Sequence, residues 1–326
     1  SRLNETYATV ITLLLFLGIM VEIVILAPKE TGTRLRSGEA KLPSPKNEQW
    51  IQGAHLLGTR EGRRDWELNA DQAQSHKDKG TWDLKKVRAK FFGKDKDGIF
   101  FTVDGDEGRV TVATEDLFVS GNVVIKSSNG YQFKTNSVNY EAKTKSLKTK
   151  DPVDMSMASS EEAGEMKLKG VGLFAAIDDQ YMDVLQNVTL TKSLEDGRVV
   201  NIGSESARFY GKSRSASFKG RVLVDVGQAR ISGPAAVFEY DTEKKALTSM
   251  LVSGGVNLSD TDKWATAEQV KMSFKKDEFI LNGSPRMVQN SDELLGDRII
   301  FSDNGRKVQV LKGRARFDSE GKELNE

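Results

Sequence analysis

Apolar and polar residues follow two different patterns along this chain. From Tyr7 to Ala27 the residues YATVITLLLFLGIMVEIVILA form a run of 21 whose only charge is Glu22. At about 1.5 Å rise per residue, a helix of that length crosses the roughly 30 Å hydrocarbon core of a bilayer. The pattern predicts a transmembrane anchor over residues 1–27. A cleavable signal peptide fits poorly, because the run is too long and no small-x-small site follows it: Ile25 stands two before Ala27, and Pro28 is next. Residues 28–49 hold Pro28, Pro43 and Pro45 among charged and small residues, which predicts an extended tether. Beyond it helical periodicity gives way to short alternating runs. In RVLVDV, Val222, Val224 and Val226 share one face while Leu223 and Asp225 take the other. The body is predicted to be all-β.

Turn dipeptides separate these runs: Asp97-Gly98, Asp104-Gly105, Asn129-Gly130, Asp196-Gly197 and Asn304-Gly305. Such pairs suit hairpins whose central residues need positive φ. The runs also repeat. A Gly- or Asn-led element recurs as SGNVVI at 120, DPVDM at 151, LQNVTL at 185, KGRVLV at 219, SGGVNL at 253, NGSPRM at 282 and KGRARF at 312. A second element ending in an aromatic lies between them: Ser137–Tyr140, Ala207–Tyr210, Val237–Tyr240, Ala267–Phe274 and Asp297–Phe301. A regular period of this kind marks stacked units that bury their apolar faces only against neighbours. It predicts two facing antiparallel sheets with one continuous apolar interior.

Composition narrows the chemistry. With 48 basic and 47 acidic residues, the net charge of +1 argues against a nucleic-acid-binding surface. No cysteine is present, which excludes disulfides, thiolate metal sites and a cysteine nucleophile. The only histidines are His55 and His76, both expected on the surface. Acidic residues such as Asp95, Asp97, Asp104 and Asp106 fall in expected turns rather than as a converging catalytic pair. Gly170-Val-Gly172-Leu-Phe-Ala175 matches a dinucleotide fingerprint but lacks the following helix, so a turn is expected there. Gly211-Lys212-Ser213 resembles the end of a phosphate-binding loop, but Ser206 stands where its first glycine should be. Lys143-Thr-Lys145 and Lys275-Lys276 read as solvated turns. No catalytic residue, metal site or cofactor is expected.

Residues 64–192 resemble the LptC family of membrane-anchored lipopolysaccharide-export proteins. The likeness is carried by Trp66-Glu-Leu68-Asn-Ala70 with Ala73, Ser120-Gly121-Asn122-Val123, Phe133 with Thr135, and Val138-Asn-Tyr140. It continues through Leu147 with Thr149, Pro152-Val153, Gly170-Val-Gly172-Leu173 and Asn187-Val188. Residues 193–317 are similar to the LptA/OstA repeat, so the chain departs from an ordinary LptC by continuing for more than 120 residues. The expected organisation is an anchor (1–27), a tether (28–49), an LptC-like jelly roll (50–192), LptA/OstA-like repeats continuing it (193–317) and a polar tail (318–326).

The resemblance implies an open, V-shaped β-jelly roll that carries lipopolysaccharide. Each acyl methylene exposed to water costs about 0.8 kcal/mol, so moving several long chains requires a shielded path. The residues expected along that path are Val123, Ile125, Phe133, Tyr140, Phe209, Val222, Val224, Phe238, Tyr240, Phe274, Ile299 and Phe301. The same residues would also serve as the core of any β-sandwich. The implied partners are lipopolysaccharide, an inner-membrane transporter of LptB, LptF and LptG, and an LptA-type bridge or LptD at the C-terminal edge. Glu22 either reaches toward headgroups or contacts a transporter helix. Basic residues follow the anchor (Lys29, Arg34, Arg36, Lys41, Lys46), which taken alone would place the body in the cytoplasm. That rule is weak for a short tail before a large domain, and the resemblance implies a periplasmic body on a single-pass inner-membrane anchor. The alternative is an anchored envelope scaffold with a filled core that binds only proteins.

Overall fold

A computed structural model describes residues 49–316 apart from 61, 77–78, 94–99, 129, 158–163, 242–245 and 303–305. The expected anchor with Glu22, almost all of the tether and the tail lie outside the described residues, as do Asp97-Gly98, Asn129 and Asn304-Gly305. Among the described residues no helix is long and apolar enough to cross a membrane.

The body is all-β. Nine long strands come first: β1 (Trp50–Arg60), β2 (Arg63–His76), β3 (Thr81–Phe91), β4 (Phe101–Thr111), β5 (Asp116–Ser127), β6 (Tyr131–Glu141), β7 (Ser146–Met157), β8 (Met166–Ala176) and β9 (Tyr181–Ser193). Then follow β10 (Val199–Ser204), β11 (Ser206–Tyr210), β12 (Ser215–Val226), β13 (Ala229–Asp241), β14 (Ala246–Asp260) and β15 (Lys263–Ser273). The last six are short: β16 (Glu278–Asn282), β17 (Arg286–Gln289), β18 (Asp292–Leu295), β19 (Arg298–Ser302), β20 (Lys307–Leu311) and β21 (Arg314–Arg316). All pair antiparallel in a single 21-stranded sheet. From β1 to β9 each strand pairs with the next along the chain. β10 and β11 are two halves of one rung, broken at Glu205, since β9 and β12 each pair with both. The pairs β16/β17, β18/β19 and β20/β21 are split in the same way.

The long strands are not straight. Their registers shift near mid-strand, between Asp104/Glu107, Ser120/Val123, Thr149/Pro152, Lys219/Val222 and Ser253/Val256. Such bulges bend a strand and increase its twist. At the same level stand Gly121, Gly172, Gly220 and Gly254 with φ of 79°, 75°, 78° and 93°. A residue with a Cβ would lose roughly 1–2 kcal/mol in that left-handed region, which explains the glycines. The bends line up into a crease that folds the sheet over, so that two leaves face each other. The ladders leading out from β10 form leaf one, and those leading out from β11 form leaf two. Aromatic contact across the interior joins them: Phe91 on β3 and Tyr140 on β6, strands that do not pair, have ring centroids 4.0 Å apart.

The crease also corrects the side-chain phase. In β6 the buried residues are Phe133 and Thr135 before it but Val138 and Tyr140 after it. In β13 they are Ile231 before and Ala236 and Phe238 after. The extra residue keeps the apolar face inward on both leaves, and buried residues from Ala54 to Phe301 form one continuous core.

The two repeating sequence elements now acquire distinct places. Every aromatic-ended element lies on leaf two, and every Gly- or Asn-led element crosses the crease onto leaf one. Three sequence expectations are corrected. Asp104-Gly105 lies inside β4 at the crease rather than in a hairpin turn, because the Val119 side chain fills the space a residue with a Cβ would need. Gly170–Gly172 is likewise a crease inside β8 and not a turn. Lys145 is not solvated but buried, at 9% exposure.

Candidate functional site

Opposite the crease the leaves end in two rows of turns, the lips. No β-ladder joins the lips among the described residues. Four openings follow one another between them. The first, about 60 Å³, sets Phe101, Tyr131, Phe133 and Met155 of leaf one against Tyr181, Met182, Phe209 and Tyr240 of leaf two. The second, about 120 Å³, sets Met157, Met166, Leu190 and Ile202 against Phe209, Phe218, Phe238 and Leu247. The third, about 500 Å³, is polar and includes Lys192, Glu195, Asp196, Arg198, Asp241, Phe274 and Lys275. The fourth, about 280 Å³, lies between Arg198, Val226 and Leu258 on one side and Asp277, Phe279 and Phe301 on the other. Neighbouring openings share residues. Tyr131, Phe209 and Tyr240 line the first two, Lys192 and Leu247 the second and third, and Arg198 the last two. The openings therefore form one row along the lips, a slit that side chains interrupt between them.

The twelve residues expected along a lipid path divide into two groups. Phe133, Phe209, Phe238 and Tyr240 line the first two openings, Phe274 the third and Phe301 the fourth. Val123, Ile125, Val222, Val224 and Ile299 face inward but pack solidly near the crease, and Tyr140, near the lip of leaf two, packs against Phe91, all six at 2% exposure or less. Sequence reasoning missed Tyr131, Met157, Met166, Leu190, Ile202, Phe218 and Leu247. Leu190, Ile202 and Phe218 continue the inward phase of their strands and were legible in the alternation. Tyr131, Met157, Met166 and Leu247 stand at strand ends, where no alternation remains to read.

Aromatic edges shape the second opening. Phe218 stands edge-on to Phe238, with centroids 5.4 Å apart, and to Phe209 at 6.0 Å. The Tyr240 hydroxyl donates to the Tyr210 carbonyl at 3.1 Å. Burial pushes the Tyr131 and Tyr240 hydroxyls above the usual tyrosine range, so both stay protonated and neutral in the slit. Lys192, 4% exposed, marks the passage from apolar to polar lining, its Nζ donating to the Gly164 carbonyl at 2.8 Å.

Charged pairs tie the lips together. At the N-terminal end, Lys145 in the β6–β7 turn pairs with Asp65 on β2 and lies 3.6 Å from Asp178 in the β8–β9 turn. The Lys145 and Asp65 side chains are 11% and 9% exposed. Between the third and fourth openings, Arg198 in the β9–β10 turn donates through Nη1 to Asp277 Oδ1 in the β15–β16 turn at 2.6 Å. Those side chains are each 27% exposed. Asp196 grips the same guanidinium from its own turn, Nε donating to Oδ2 at 2.8 Å, and this bond holds the Asp196 carboxyl below the usual carboxylate range. Among the described residues no group of three or more His, Cys, Asp or Glu could hold a metal ion.

The arrangement can shelter apolar chains between the leaves and leave polar groups at the lips. Comparison with known proteins agrees with the order of the two halves. Residues 12–193 match the sequence model of the lipopolysaccharide-assembly, LptC-related family. Residues 201–322 match that of the LptA/(LptD N-terminal domain) LPS transport proteins. Among solved structures, LptH of Pseudomonas aeruginosa, the LptA-homologous periplasmic component of its lipopolysaccharide transport device, is similar over 34% of this chain and 80% of its own, at 15% identity and a TM-score of 0.32. Among curated proteins, none matches.

Proposed function

Since the chain belongs to the LptC-related lipopolysaccharide-assembly family and so takes part in lipopolysaccharide transport, we propose that it is a non-enzymatic conduit. It receives lipopolysaccharide from an inner-membrane transporter of LptB, LptF and LptG and passes it along the slit toward an LptA-type bridge or LptD. The observation that carries this reading is the slit itself. Its openings run from residues matched by the first family model into residues matched by the second, without a break in the sheet between them. β9 pairs with β10 and β11 across that junction, so one covalent body does what would otherwise need two docked proteins.

The acyl chains run between the leaves, past Phe133, Phe209, Phe238, Tyr240, Phe274 and Phe301, while the saccharide stays outside the lips. Residues 1–27 anchor the chain in the inner membrane, 28–49 tether it, and the β body (50–192 and 193–317) stands in the periplasm. The LptC-related match begins at residue 12, inside the apolar run, which supports this order. The strands at both ends support docking by strand addition. β1 carries Trp50 and Ile51 at 59% and 41% exposure, and β20 carries Val308 and Leu311 at 40% and 38%.

A second reading, the protein-binding scaffold, draws on the tight interior, where Val224 and Ile299 have no exposed surface. Photo-crosslinking from Phe133 and Phe238 in intact cells, with blots for lipopolysaccharide, separates the two. Adducts at both positions are the expected result. Adducts at Phe133 alone would make the C-terminal half a docking module, and none at either, with the protein folded and abundant, favours the scaffold.

A further inference from the structure

The apolar openings are too small for the cargo as they stand. An apolar cavity of about 150 Å³ holds a single benzene, and the larger of the two apolar openings measures about 120 Å³. An acyl chain is several times larger than benzene, so the leaves must part as it passes. Where apolar side chains of the two lips part, the acyl chain takes their place, whereas charged pairs that span the lips gain no such replacement.

Those pairs are not equivalent. Separating Lys145 from Asp65 would uncouple ions that are almost fully buried, which is expensive. Arg198 and Asp277 are each 27% exposed, so water and salt weaken their attraction and take it over when they separate. Arg198 is also held from its own side. Its Nε donates to Asp196 Oδ2 at 2.8 Å and its backbone N–H to Asp196 Oδ1 at 3.0 Å. When Asp277 withdraws, the guanidinium stays paired and aimed, ready to close again. The turn that carries it is braced by a Leu194 N–H to Arg198 carbonyl bond of 2.8 Å. Its position is the narrow point shared by the third and fourth openings.

We propose that the Arg198–Asp277 pair is a releasable latch across the lips, which lipid moving from the third opening to the fourth must open and which closes behind it, while Lys145–Asp65 stays closed and cargo enters the slit beyond it. The latch rests on the conduit reading. In that role Arg198 and Asp277 are gating residues that hold no cargo themselves.

The test uses the full chain in intact cells with a photoreactive residue at Phe209, before the latch, or at Phe301, beyond it. Arg198→Cys and Asp277→Cys are introduced together and bridged by a reductant-cleavable bis-methanethiosulfonate, a clean reaction because the chain has no cysteine of its own. Bridging is expected to abolish lipopolysaccharide adducts at Phe301 and keep those at Phe209, and reductant to restore the former. The unbridged double variant, with its latch removed, should give at least as many Phe301 adducts as the parent, which also shows that it folds. Phe301 adducts that persist under the bridge would overturn the latch alone. Absence of adducts at both positions in the unsubstituted pair would overturn the conduit reading and the latch with it.

Discussion

Replacing Lys145 with methionine tests whether the N-terminal end of the slit is sealed by a buried charge cluster. Lys145 pairs with Asp65 and lies 3.6 Å from Asp178, and these three side chains are 11%, 9% and 17% exposed. Methionine keeps most of the apolar stem of lysine, so the change removes the charge and little packing. It takes the Lys145 charge away from beside Asp65 in the interior, and breaking one partner of a buried pair costs about 3–5 kcal/mol. Lys85–Glu107 is an internal control, an ion pair with side chains 58% and 59% exposed. Removing a pair of that kind costs about 0–1 kcal/mol. Urea unfolding followed by tryptophan fluorescence reports on the right region. Trp66 and Trp82, both in the N-terminal rungs, are 6% and 5% exposed, whereas Trp50 and Trp264 are already 59% and 42% exposed and change less. At a urea slope of about 2 kcal/mol/M the midpoint of Lys145→Met should fall by roughly 1.5–2.5 M, against no more than about 0.5 M for Lys85→Met. Equal shifts for the two variants would refute the seal, since they would mean that water reaches Lys145 as freely as Lys85.

Three further outcomes are expected. Gly254→Ala at the crease should lose about 1–2 kcal/mol from its left-handed φ of 93°. Contact with Pro234 adds to that loss, as the new Cβ would lie 2.7 Å from the proline Cγ; Gly197→Ala, which meets nothing within 4 Å, should show the backbone cost alone. Burial raises the Tyr131 hydroxyl above the ordinary 10.0, so the folded state holds that proton more tightly than the unfolded one. This contribution is present below pH 10 and lost as pH rises through the folded-state value, and Tyr131→Phe should reduce the alkaline loss of stability measured by urea midpoints. Asp83 is held below 3.8 by the hydrogen bond from Arg109, with the Arg109 and His76 charges adding to it. Its stabilisation is present above pH 3.8 and lost as pH falls through the lower folded-state value, so Asp83→Asn should flatten part of the acid limb and leave the neutral plateau flat.

Much of this protein is written locally. Alternation in stretches such as Val222–Val226 determines which side chains turn inward, because side chains on a strand alternate strictly between faces. The spacing of Gly-led and aromatic-ended elements determines a stacked, repeating sheet, and the ordered series of residues from Trp66 to Val188 points to the family. All of these signals act within a few residues of one another. What tertiary structure alone decided concerns residues far apart in the chain. Gly105 and Gly170 resemble turn glycines in sequence, but the neighbouring rungs at Val119 and Val184 take the space of a side chain and make them creases. Val222 and Phe238 look alike as inward apolar residues, and only the folding of the sheet packs one near the crease and sets the other in the slit. Lys145 and Arg198 both read as ordinary charges in polar turns. Arg198 meets a partner 79 residues away, and whether such a pair is a buried seal or a half-exposed latch depends on how deeply the lips cover it. Burial of a charge is set by everything packed around it, and no local pattern in the sequence records that.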